Sequence, residues 1–335
     1  MPIHPTARRG GLNAVAEAIG SPGQTLVTGH LRPDGDALGS AVAITRLLNI
    51  SGHRAFFTAE KTQLGRPGFL QGCEKIVPPA EAAKKRCAAW IVLDCGGVDR
   101  LPEPLRPHAA TANIINMDHH ATNNGQFGSV SWVDPKASCT GEMVWRLARK
   151  MKWPLDPQTA EALWVSLVTD TGRFAHENTT PAALRFGADL LRHGARAAFV
   201  NDQLYNNLGA NVLALKQRAF ASLEKWDAGT VALITLTCKD FRETGTTKSD
   251  AEDFIDIPRS LDTACVALFF YQDENSENTT RLSIRTRAPL DATLLATRFG
   301  GGGHPRAAGC TLEMPLPDAR RAVHEALSDF FDFYF

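Results

Sequence analysis

The sequence predicts an α/β fold: an N-terminal, mainly parallel sheet flanked by helices, followed by a smaller C-terminal α/β domain. Three observations predict it. Apolar runs of strand length alternate with helical patterns through the first half, these runs end abruptly in polar signatures, and a second group of strands starts only after a largely polar segment.

Thr25 to Gly29 reads as a buried strand that delivers His30, and Asp36 to Leu48 carries the helical pattern that follows. Ala89 to Leu93 is a second strand, ending at Asp94. Asn113 to Met117 is a third, running into Asp118, and helices are predicted at Thr140 to Met151, Pro157 to Val168 and Pro181 to Arg192. In such sheets ligands gather beyond the carboxyl ends of the strands, and the polar signatures sit at that edge.

From about Gly194 to Trp226 the chain is largely polar and helical, which suggests a linker helix. Strands are then expected at Thr230 to Thr237, Ala264 to Tyr271 and Arg281 to Thr286. A helix over Asp291 to Arg298, a run of four glycines at 300–303 and an amphipathic helix from about Asp318 to Phe331 complete the chain. The expected domains are residues 1–195 for a catalytic metal domain, 196–226 for the linker and 227–335 for a substrate-binding domain.

A chain of 335 residues can build two domains with cores well above marginal size. The 36 Lys and Arg equal the 36 Asp and Glu, so there is no global field suited to long duplex nucleic acid. Small anionic ligands remain open through local charge. Seven cysteines without a CxxC pair, and an N-terminus without signal-peptide features, lead us to expect a reduced, cytoplasmic setting. No stretch approaches the roughly 20 apolar residues of a membrane span. Cys95 and Cys310 read as small buried residues closing strands.

Six potential metal ligands carry the chemistry: His30, Asp34 and Asp36 in GHLRPDGDALGS, Asp94 in IVLDCGG, His119 in NMDHHATN and Asp170 in SLVTDTGRF. Four carboxylates cancel about the charge of two divalent cations, which would remain able to bind a hydroxide and a phosphate ester. Metal-assisted phosphoester hydrolysis follows as the expected chemistry. Pro33 and Gly35 keep the first loop out of a helix, so that Asp34 and Asp36 can point to different metals; the structural alternative is an Asx turn at Asp34 and a helix cap at Asp36. Asp94 ends an apolar run, where an unpaired carboxylate would be costly to bury, and its natural role is a bridge between two ions. His119 is assigned as a ligand. Asp118 is expected to orient it, and His120 to contact the scissile phosphate or protonate the leaving oxygen. The four glycines before His304 can form a loop whose amides surround an anion, with Arg285 and Arg287 as further anion contacts.

These residues and their order resemble the DHH phosphoesterases, named for the motif at Asp118, His119 and His120. HLRPDGDALGS, VLDCGG, MDHH, TDTGRF and GGGGHPRAAG all occur in the family's order, over nearly the whole chain. The resemblance implies two Mn ions, one held by His30, Asp34 and Asp94 and the other by Asp36, Asp94, His119 and Asp170. A hydroxide between them would attack phosphorus in line. The residues alone admit Mn, Mg or Co.

GGGGHPRAAGC resembles the DHH-associated domain of RecJ-like nucleases and of the bifunctional oligoribonuclease and PAP phosphatase group. It implies that Gly302, Gly303, His304 and Arg285 hold the far end of the substrate, and DFIDIPRS implies a nucleotide contact at Arg259. Family II pyrophosphatases lack the GGGH loop, and full RecJ exonucleases are much longer. The resemblance therefore implies release of 5′ mononucleotides from very short single-stranded RNA, together with dephosphorylation of 3′-phosphoadenosine 5′-phosphate. The rivals are a phosphodiesterase for cyclic or linear dinucleotides and a non-enzymatic nucleotide sensor, the latter disfavoured because all six ligands are present. Oligomeric state, a homodimer included, and cleavage polarity are open.

Overall fold

The computed structural model describes residues 8–20, 23–251, 253–273 and 276–334. The chain divides into two compact units between Asn207 and Leu208.

The first unit runs β1 (Arg8–Arg9), α1 (Leu12–Ile19), β2 (Gln24–Thr28), α2 (Gly35–Ile50), β3 (Arg54–Phe57), α3 (Pro79–Ala82), β4 (Ala89–Leu93), β5 (Ile114–Asp118), β6 (Val130–Val133), α4 (Thr140–Met151), α5 (Pro157–Asp170), α6 (Pro181–Arg192) and α7 (Ala197–Asn201). Its six strands form one sheet in the order β1-β6-β5-β4-β2-β3, and every pairing is parallel. Side chains alternate between two cores. Val27, Ile91, Leu93, Ile115 and Met117 join the core beneath α1, α2, α4 and α5, whereas Leu26, Trp90, Val92 and Ile114 join a smaller one with Leu101 and Leu105. Burial on both faces explains why these strands are nearly all apolar in sequence.

The order in which strands are added to the sheet reverses between β2 and β4, which are themselves parallel. From β2 the chain crosses to β3 on one side, and from β4 it proceeds to β5 on the other, which opens a crevice at the carboxyl ends of β2 and β4. The helix α2 is buried almost all round through Leu48. Glycines permit this: a Cβ at Gly39 would run into the Ala162 carbonyl and the Ser166 amide of α5, and one at Gly141 of α4 into the Ser166 side chain.

The second unit comprises α8 (Ala210–Ala221), β7 (Glu224–Trp226), β8 (Val231–Leu236), α9 (Cys238–Thr244), α10 (Asp256–Arg259), β9 (Val266–Asp273), β10 (Ser276–Thr286), α11 (Ala292–Thr297), β11 (Gly302–His304), β12 (Ala307–Leu312) and α12 (Leu316–Asp332). Its sheet has the order β11-β12-β10-β9-β8-β7 and is mixed, with only β8 and β9 parallel. One face packs on α11 and α12 through Leu282 and Ile284, and the other on α8, α9 and α10 through Phe269 and Ile234.

Several expectations are corrected. The 196–226 segment is not an independent linker, because Val200 and Leu204 are buried in the first unit's core and Val212, Leu215 and Ala219 in the second's. Its polar average concealed apolar residues at helical spacing. The glycine run is no open loop either, since Gly302 to His304 pair with β12 as an edge strand. Cys95 is fully buried as expected, but Cys310 lies half-buried within β12.

Candidate metal centre

The loops after β2, β4 and β5, the first turn of α2 and the carboxyl end of α5 bring all six expected ligands to one place. His30 Nε2 lies 3.5 Å from Asp94 Oδ2 and 3.8 Å from Asp34 Oδ2. His119 Nε2 lies 3.6 Å from Asp94 Oδ1, 3.6 Å from Asp36 Oδ2 and 3.7 Å from Asp170 Oδ2. Asp94 thus turns one oxygen to each histidine. Ligand atoms fall into the overlapping groups His30–Asp34–Asp94, Asp36–His119–Asp170 and Asp94–His119–His120, each within 4.8 Å.

Local structure sets these positions. Asp34, rather than Asp36, caps α2, with Oδ1 accepting from the Ala37 amide at 3.0 Å, and its other oxygen faces His30. Asp36 falls in the first turn and is 2% exposed. Asp94, 1% exposed, follows β4 with φ at +53°, a left-handed backbone that turns its side chain back over the strand ends. Asp170 is the last residue of α5, two residues beyond the predicted helix.

Buried carboxylates need partners, and four residues that the sequence did not single out supply them. The amides of Thr140 and Gly141, at the N-terminus of α4, donate to Asp36 Oδ2 at 2.8 Å and Oδ1 at 3.2 Å. Ser166 Oγ donates to Asp36 Oδ1 at 2.5 Å, and Thr140 Oγ1 to Asp94 Oδ1 at 3.2 Å. Asn178 Nδ2 donates to Asp170 Oδ2 at 3.1 Å and to the Ser138 carbonyl at 2.8 Å. The signal for Thr140 was its place at the head of an amphipathic helix. Nothing local marked Ser166.

Asp118 contacts His120 and not, as expected, His119. Its Oδ1 lies 2.7 Å from His120 Nδ1, and Asn123 Nδ2 donates to its Oδ2 at 2.8 Å. The His120 nitrogen is also 3.3 Å from Asp94 Oδ1.

The electrostatics show a site short of positive charge. Burial would lower the pKa of His30, but Asp34 and Asp94 outweigh it and raise it to about 10. For His120, burial is likewise outweighed by Asp118 and Asp94, and the pKa rises to about 11. Burial and the neighbouring Asp94 push Asp36 up to about 7, while burial and Asp36 push Asp170 well above the carboxylate range. Asp94, although buried, is held low by His120 and His30. Divalent cations fit this donor set: carboxylate oxygens with imidazole nitrogens suit Mn, Mg or Co, and the adjacent Cys95 thiol is turned to the Gly97 carbonyl.

In the second unit, Arg285 lies in one cross-strand row with Ala232, Ala267, Ala307 and His304. Alanines flank it on both neighbouring strands, its Nη1 donates to the Ile284 carbonyl at 3.1 Å, and burial lowers the pKa of its guanidinium. Gly303, at φ +147°, admits no Cβ beside the Ala307 carbonyl, and Gly302 and His304 are exposed on the same edge strand. Arg259 is exposed on α10 and bonds Asp256 Oδ1 at 3.2 Å. Arg287, also expected to meet an anion, donates to the carbonyls of Leu261 and Asp262 at 2.9 and 2.8 Å and acts as a clasp.

A parallel α/β unit carrying carboxylates and imidazoles clustered at its strand ends, together with a family match over residues 24–167, defines a metal-dependent phosphoesterase. The chain belongs to the DHH family: the model for the DHH family N-terminal domain matches residues 24–167, and that for the DHHA1 domain matches residues 229–332. It is 30% identical over 328 residues to the bifunctional oligoribonuclease and PAP phosphatase NrnA of Thermus thermophilus, covering 95% of this chain and 94% of that one. The Bacillus subtilis protein of the same name is 28% identical over 288 residues, covering 84% and 87%. In fold, the chain is similar to an exopolyphosphatase-related protein from Bacteroides fragilis, with a TM-score of 0.86 at 22% identity over 95% and 96% of the two chains. Among the described residues no helix is long and apolar enough to cross a membrane.

Proposed function

We propose that the protein is a Mn-dependent phosphoesterase that releases 5′ mononucleotides from very short single-stranded RNA and also converts 3′-phosphoadenosine 5′-phosphate to AMP. The observation that carries the dinuclear part is Asp94, whose two oxygens lie 3.5 and 3.6 Å from His30 and His119. In this reading His30, Asp34 and Asp94 hold one cation, and Asp36, Asp94, His119 and Asp170 the other. Two divalent cations so held would supply a hydroxide at neutral pH and offset charge on the phosphoryl oxygens.

The chain's own groups do the rest. Asp118 orients His120, and with Nδ1 committed to Asp118, His120 would meet the phosphate or the leaving oxygen through Nε2. Arg285 on β10, with His304, Gly302 and Gly303 on β11, two strands away, and Arg259 on α10, would bind the part of the substrate away from the broken bond. The choice of short RNA and PAP is supported by the names of the two NrnA relatives and by the balanced charge of the chain.

The test is an assay of the purified protein with Mn on a 5′-phosphorylated dinucleotide, a longer RNA, 3′-phosphoadenosine 5′-phosphate, a cyclic dinucleotide and pyrophosphate. Fastest turnover of the dinucleotide, with hydrolysis of PAP, is the expected result. Preference for pyrophosphate or long RNA would overturn it, and preference for the cyclic compound would favour the rival phosphodiesterase.

A further inference from the structure

The two oxygens of Asp36 are unequally engaged. Oδ1 accepts from Ser166 Oγ at 2.5 Å and from the Gly141 amide at 3.2 Å. Oδ2 accepts from the Thr140 amide at 2.8 Å and is the oxygen that faces His119 Nε2, at 3.6 Å. Ser166 is fully buried, and its hydroxyl oxygen accepts from the Gly141 amide at 3.1 Å, so its own proton goes to Asp36. This contact depends on the helix packing. Glycines at 39 and 141 let α2 and α4 close onto α5 at Ser166, where any Cβ would separate them.

We propose that Ser166 is a positioning residue that commits Asp36 to bind a cation through Oδ2 alone, and so sets which ions this half of the site prefers. The inference rests on the metal-centre reading above. A carboxylate with both oxygens available can chelate one ion; with Oδ1 held by two donors, Asp36 offers a single oxygen. Large, flexible shells such as that of Ca²⁺ readily take two-oxygen carboxylates, whereas smaller ions with octahedral shells are served by one oxygen per carboxylate. Ser166 therefore favours the smaller ion.

The experiment titrates the metal-free full-length protein with Mn²⁺ and, separately, with Ca²⁺ by calorimetry, for the wild type, Ser166→Ala and Ser166→Cys. Wild type is expected to bind two Mn²⁺ per chain. In Ser166→Ala one of the two Mn²⁺ affinities should fall roughly 10- to 100-fold, the usual effect of losing a group that orients a ligand. Ca²⁺ affinity should hold or rise, so that the Mn²⁺/Ca²⁺ ratio drops at least about tenfold. Ser166→Cys, with a weaker donor of similar shape, should fall between the two and keeps the test available if the alanine variant does not fold. If the ratio stays at its wild-type value while the urea midpoint falls, Ser166 only packs, and the proposal is overturned. Equal weakening of both ions overturns it as well. A wild type that binds no divalent ion at all would instead sink the metal-centre reading, and this inference with it.

Discussion

Asp118 grips His120 twice: Oδ1 lies 2.7 Å from the ring nitrogen Nδ1 and accepts the main-chain amide at 3.2 Å. Asn123 fixes the opposite oxygen and also donates to Asn116 at 3.1 Å, so the carboxylate cannot swing. His120→Ala should lower turnover by roughly 10²- to 10⁴-fold, the range of a general acid, and Asp118→Asn by roughly 100-fold. Both variants should keep the wild-type metal content. Elemental analysis beside the rate measurement checks this, since loss of an ion from His120→Ala would make His120 a ligand.

Asp94→Asn keeps the size of the side chain but removes the charge shared by His30 and His119. We expect fewer than two Mn ions per chain and loss of hydrolysis. Wild-type rates with metal still bound would rule out the bridge.

Gly39→Ala adds a methyl where α2 meets the Ala162 carbonyl of α5. Overpacking of this kind costs about 1–3 kcal/mol. Because Asp36 sits one turn earlier on α2, Mn affinity should fall along with the urea midpoint. A stability loss without any change in affinity would show that the site is insulated from the packing of α2.

Asp156 caps α5 by accepting from the Thr159 amide at 2.8 Å and meets Arg46 at 2.6 Å. Burial opposes its charge, but Arg46 and Thr159 prevail and hold its pKa below the ordinary 3.8. A depressed native pKa gives stability that is present above 3.8 and lost as the pH falls through the lower native value. Asp156→Ala should therefore cost about 1 kcal/mol at pH 7. Denaturant midpoints of the two proteins should converge below pH 3.8; a constant gap would contradict the linkage.

Arg285→Ala should raise KM for a dinucleotide by roughly 10-fold or more, as expected for losing a hydrogen bond to a charged group, with metal content unchanged. An unaltered KM would remove Arg285 from the substrate contacts.

Most of the first unit was legible because its physics is local. Apolar runs marked β2, β4 and β5, and the predicted bounds of α4 and α6 agree with the structure. The clustering of the six candidate residues was legible from their types and from the elements they border: His30, Asp94 and His119 follow strands, Asp34 and Asp36 open α2, and Asp170 ends α5. Their supports were not: Ser166 reaches Asp36 only after segments 130 residues apart in sequence have packed, and Asn178 reaches Asp170 through an irregular turn whose course no periodic pattern marks. Asp118 was paired with the wrong histidine for a geometric reason: residues on either side of a strand end point in different directions, and only the backbone decides which ring returns to the carboxylate. The glycine run misled in the opposite sense. Its composition suggested openness, yet Gly301 and Gly303 are small because β12 lies against them.

The left-handed backbone at Asp94 has a consequence for which sequences can occupy this position. The chemistry asks for a short-range carboxylate with two oxygens, and a glutamate also has two. At a φ of +53°, however, aspartate and asparagine are among the few side chains that sit readily, and glutamate is not. Asparagine keeps the turn but gives up the charge, and glycine keeps the turn but brings no ligand. Single substitutions at position 94 therefore face two independent filters, and aspartate passes both.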